Sequence, residues 1–93
     1  MAAIAASADL IIVLLEKNSS LGSKLLITGG GRCNITNEKP IKKLLNSFHD
    51  KNFLKHSFYT FTNEMLLDLF RNRGLDFIVE DNNRVFPETE KSQ

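Results

Sequence analysis

Six consecutive apolar residues, Leu10, Ile11, Ile12, Val13, Leu14 and Leu15, constrain this chain most. A strand with one wet face alternates apolar and polar positions. An unbroken run reads as a strand covered on both faces, the habit of parallel sheets. A parallel strand needs a parallel neighbour, and no earlier segment of the chain supplies one. The run ends in Glu16, with Lys17 next to it. Thr28, Gly29, Gly30, Gly31, Arg32, Cys33 and Asn34 follow shortly after. An apolar strand, an acidic tip, a glycine-rich turn and an arginine are parts of a nucleotide-cofactor site.

Each part has its own chemistry. In open α/β sheets, ligands bind beyond the carboxyl ends of the strands. Glu16 stands at such an end, where a carboxylate accepts hydrogen bonds from both hydroxyls of a ribose. The competing reading is an exposed strand-end Glu paired with Lys17. Three adjacent glycines bring backbone close to a ligand and present successive N–H groups to anionic oxygens. Arg32 adds a fixed fork of donors suited to phosphate. Cys33 has no second cysteine and no neighbouring His, so it reads as a bystander thiol rather than a redox centre. Asn34, Thr36 and Asn37 hold the loop through local backbone hydrogen bonds. The phosphate turn G-x-G-x-x-G occurs nowhere in the chain.

Composition excludes other classes. With 93 residues the chain makes at most one small domain, and its net charge of +1 gives no bulk attraction to nucleic acid or membrane. A single cysteine rules out an internal disulfide framework and suits a reducing compartment. The apolar start has no basic region before it, is interrupted by Asp9 and is too short to span a bilayer. A cytoplasmic protein is expected. His49, His56 and Cys33 have no metal-ligand spacing, and no residue reads as a catalytic acid, base or nucleophile.

Residues 1–7 are Ala-rich and read as the tail of a helix. Thr36 and Asn37 are candidate helix caps, with Pro40 at a first turn. Ile41, Leu44, Leu45 and Phe48 form one stripe of the following helix, with Lys42 and Lys43 on its wet face. A second small helix buries Phe53, Leu54 and Phe58. An aromatic-basic surface for stacking on bases is the weaker reading. Thr62 or Asn63 caps a helix over residues 64–73, whose stripe is Met65, Leu66, Leu69 and Phe70, and Gly74 stops it. Residues 77–80 and 84–86 form a hairpin through the turn Asp81-Asn82-Asn83, with Pro87 ending the pairing. Residues 88–93 read as a frayed polar end.

The runs Leu14-Leu15-Glu16-Lys17-Asn18, Leu21-Gly22, Leu25-Leu26-Ile27-Thr28-Gly29-Gly30-Gly31-Arg32-Cys33-Asn34 and Thr36-Asn37 resemble the HI0933-like (YhiN-like) flavoproteins. Phe61-Thr62-Asn63-Glu64, Phe70, Gly74, Glu80-Asp81 and Arg84-Val85-Phe86-Pro87 are similar to that family's next landmarks, in order. The resemblance covers the whole chain. It implies an α/β, Rossmann-like FAD-binding domain, incomplete at both ends: a helix tail, a buried parallel strand, a glycine-rich loop, two to three helices and a small β-hairpin. Residues 1–93 would then be one partial FAD/NAD(P)-binding domain.

It further implies an FAD-dependent oxidoreductase, linked to NAD(P)H, acting on an unknown small molecule. Glu16 would bind the adenosine ribose. Residues 28–34 would wrap the pyrophosphate and the flavin side. Asn83 stands where the family carries Gly, a substitution compatible with positive φ. No nucleic-acid or membrane partner is expected. The alternative is a non-catalytic remnant or interaction module that self-associates through an exposed strand edge.

Overall fold

The computed structural model describes residues 2–6 and 8–91. The first element, α1 (Ala2–Ala5), is helical, as the Ala-rich start predicts. The rest of that expectation, at Met1 and Ser7, and the expected fraying at Ser92 and Gln93 lie outside the described residues.

The buried parallel strand expected at residues 10–15 is not formed. Residues 11–16 carry no regular structure, and Ile11 and Leu15 are 95% and 90% exposed. The cause is physical. A parallel strand gains its hydrogen bonds only from a neighbour, and among the described residues no strand pairs with it. The radius of gyration, 14.9 Å, exceeds the roughly 12 Å of a compact chain of this length. The α/β character is carried instead by the C-terminal two thirds.

There β1 (Thr36–Asn37), β2 (Phe77–Glu80) and β3 (Arg84–Pro87) form an antiparallel sheet in the order β1-β3-β2. The expected hairpin is present. Phe77 opposes Pro87 and Glu80 opposes Arg84. The turn Asp81–Asn83 places Asn82 and Asn83 at φ of 64° and 60°. Asn accepts such angles at low cost, which is why it can stand at position 83. The central strand β3 holds the core. Val85 and Phe86 are 0% and 1% exposed. Successive strand residues point to opposite faces, so both faces of the sheet are covered here.

Thr36 and Asn37 pair with β3 rather than capping a helix. Asn37 still makes a turn: its Oδ1 accepts from the Lys39 amide at 3.0 Å, and Pro40 leads directly into α2 (Ile41–Leu45). Leu45 is the buried member of that stripe, while Phe48 stays 40% exposed at the stripe's end. The Asp50 side chain accepts from the Phe53 amide at 3.0 Å and caps α3 (Lys51–Thr60). Phe58 meets Phe48 edge-on, with ring centroids 5.3 Å apart. Phe53, expected to be buried, is 80% exposed. It lies outside the narrow face shared by Leu54 and Phe58, four residues apart.

Thr62 caps α4 (Asn63–Arg71) by accepting from the Met65 amide at 3.2 Å. Its end is a Schellman stop: the Leu75 amide reaches the Phe70 carbonyl, and the Gly74 amide reaches that of Arg71. The buried face is rotated from the expected stripe. Leu67 is buried and Met65 is 47% exposed. Asn63 sets the rotation. Its Nδ2 donates to the carbonyls of Asn37 at 2.6 Å and Lys39 at 3.0 Å. That buried amide turns residues 63 and 67 inward together, as their spacing of four requires.

Candidate functional site

The glycine loop lies on the hairpin. A 3-10 segment, Leu25–Gly31, breaks at Thr28, and four left-handed residues follow within five positions: Gly29 (φ 59°), Gly30 (68°), Gly31 (87°) and Cys33 (59°). Cys33 has a Cβ, so its conformation costs about 1–2 kcal/mol. Its amide donates to the Thr28 carbonyl at 2.9 Å, closing the loop. Asn34, with its amide nitrogen toward the carbonyls of Thr36 (3.0 Å) and Val85 (3.2 Å), ties the loop's exit to β3.

The glycines are not equivalent. A Cβ on Gly29 would stand 2.8 Å from the Asn34 amide nitrogen and 3.0 Å from Cε1 of Phe86. That close approach serves the protein's own core. A Cβ on Gly30 would meet nothing within 4 Å. Gly30 therefore presents the open side of the loop.

Arg32 is engaged by the hairpin. Its guanidinium forks onto Glu80 at 2.6 and 3.3 Å and reaches Glu90 at 3.1 Å. It also lies 4.2 Å from the centre of the Phe86 ring. Arg84 approaches the same carboxylate at 3.6 Å. The hydrogen bond from Arg32, with the nearby positive charge, holds the Glu80 carboxyl below its ordinary value of 4.5, and Glu80 holds Arg32 above its own. Arg32 thus anchors the loop, with its charge already matched by a carboxylate.

This pairing has a pH signature. Glu80 has a lower pKa folded than unfolded. Its contribution to stability is therefore full above about pH 4.5 and is lost as pH falls through its depressed folded value. Both partners are about a third exposed, so salt screens the pair. We expect Glu80→Gln to lower the urea midpoint at pH 7 and to narrow its gap from the parent at pH 3. An equal gap at both values would show that the ion pair contributes nothing.

Glu16 is exposed, and its Oε1 accepts both the backbone amide of Asn18 (2.9 Å) and its Nδ2 (2.8 Å). Its partner is Asn18, not Lys17. Thr28 donates its hydroxyl to the Leu25 carbonyl at 2.8 Å. The structure brings residues 28–34 together, while Glu16 and Lys17 belong to the exposed N-terminal segment. Sequence reasoning gave no role to Glu80 or to the Phe86 platform. Glu80 lies 48 residues from Arg32, and no local pattern reports such a pair. The acidic strand end facing Arg84 across a hairpin was the available signal. Among the described residues, no group of three His, Cys, Asp or Glu could hold a metal ion, and no helix is long and apolar enough to cross a membrane.

The chain is similar to a 3-dehydro-bile acid delta(4,6)-reductase of Clostridium scindens, with 30% identity over 95 residues. The aligned region covers 99% of this chain and 23% of that enzyme, so the chain spans about a quarter of its relative's length. The family model described as the HI0933-like protein Rossmann domain matches residues 1–93. That match takes in the exposed apolar run, the glycine loop and the hairpin alike, and the chain belongs to the HI0933-like Rossmann-domain family.

Proposed function

We propose that this chain is the cofactor-binding segment of an FAD-dependent oxidoreductase that takes electrons from NAD(P)H and acts on a small organic molecule. The family and the reductase relative support an oxidoreductase-type role. The observation that carries the cofactor reading is the open side of Gly30 in a loop otherwise fixed by Arg32, Asn34 and Phe86.

The donor set fits a dinucleotide. Residues 28–31 offer backbone to a pyrophosphate without side-chain obstruction at Gly30. Glu16 offers an exposed carboxylate to a ribose, with Asn18 restraining Oε1. Arg32 acts as a positioning residue, since its guanidinium is matched by Glu80. FAD, when bound, supplies the redox chemistry.

The test is the visible spectrum of the purified chain after incubation with FAD and gel filtration. Retained flavin is expected, and a colourless protein overturns the reading that these residues form a site. A second reading rests on the exposed residues 10–15, which would favour self-association. The same filtration reads it: elution as a dimer or larger supports it, and elution as a monomer argues against it.

A further inference from the structure

The loop has a second side. Leu66 and Phe70 of α4, the loop residue Leu75, and Pro87 of β3 wall a cleft of about 490 Å³, with Cys33, Thr89 and Lys91 also in its lining. That volume falls in the range of roughly 300–1,000 Å³ typical of small-molecule sites. The walls are apolar. The Asn34 amide at its edge is committed to two backbone carbonyls. Lys91 is exposed and makes no ion pair among the described residues. The nearby Glu90 is taken by Arg32. Among the described residues, the one charged side chain lining the cleft is therefore a cation with no carboxylate paired to it.

From this we infer that the cleft binds a small apolar carboxylic acid, its body against Leu66 and Phe70 and its carboxylate at Lys91. The apolar body supplies the larger share of binding by leaving water. The Lys91 pair, being exposed, selects acid over neutral analogue by about two- to fivefold. The inference uses no part of the flavin reading and stands or falls apart from it.

Cys33, the chain's one cysteine, is half-buried in the lining and serves as the reporter. Alkylation of the whole chain by iodoacetamide is followed by mass spectrometry, with 2-naphthoate or 2-naphthamide added. Naphthoate is expected to slow the reaction, with half-effect at about two- to fivefold lower concentration than naphthamide. Lys91→Met is expected to erase that difference while leaving the circular dichroism spectrum unchanged, since Lys91 is exposed. No protection by either compound overturns the inference. So does equal protection in the parent chain, or a preference that survives Lys91→Met. None of residues 10–15 lines the cleft, so non-specific binding there does not imitate the result.

Discussion

Phe86→Ala is expected to destabilise the protein by about 3–5 kcal/mol, the range for emptying a buried aromatic site. Phe86 is 1% exposed and is the largest fully buried side chain among the described residues. It sits in the central strand, its Cε1 packs where a Cβ on Gly29 would stand, and it lies under the guanidinium of Arg32. Removing the ring leaves a cavity beneath the loop as well as inside the sheet. The buried hydrophobic core among the described residues comprises Leu45, Leu67, Val85 and Phe86. A chain of this length has a total stability of about 5–14 kcal/mol, so the loss removes a large part of it. Urea unfolding followed by far-ultraviolet circular dichroism measures the effect. A midpoint within error of the parent's would mean that the hairpin is not the centre of the fold.

The second large effect separates two neighbouring glycines. Gly29→Ala combines a left-handed conformation, about 1–2 kcal/mol, with contacts of 2.8 Å to the Asn34 amide nitrogen and 3.0 Å to Phe86. The amide nitrogen belongs to backbone that is itself tied to β3, so it yields little. Overpacking of this kind adds about 1–3 kcal/mol, for a total of about 2–5 kcal/mol. Gly30→Ala has only the conformational term of about 1–2 kcal/mol, because nothing stands within 4 Å. The two variants should therefore reverse their order between assays. Gly29→Ala is the less stable protein. Gly30→Ala is expected to stay folded and, on the proposed function, to retain less flavin, because its new methyl group would stand on the open side of the loop. Equal unfolding midpoints would contradict the packing assigned to Gly29.

The elements that sequence revealed are those whose signals are local. Thr62 caps α4, Gly74 stops it, and the asparagines of residues 81–83 turn the hairpin, each through hydrogen bonds or angles spanning a few residues. The glycine loop was legible for the same reason, since left-handed angles select glycine. What was not legible depends on distant partners. The apolar run at residues 10–15 carries a strand signal, but a strand forms only beside another, and the described residues supply none. The rotation of α4 is set by Asn63 reaching carbonyls 24 and 26 residues away. The pairing of Arg32 with Glu80 is invisible in the sequence because the two lie 48 residues apart. Phe53 illustrates the remaining kind of miss. Its residue type argues for burial, and its position on the helix does not.

The most direct test of the account is an amide-resolved nuclear magnetic resonance titration of the chain with FAD. The amides of Gly30, Gly31 and Cys33 are expected to shift on binding while those of residues 51–60 in α3 stay in place. Flavin binding that moves α3, or any binding that leaves residues 28–34 unmoved, would contradict the assignment of the glycine loop as the cofactor site.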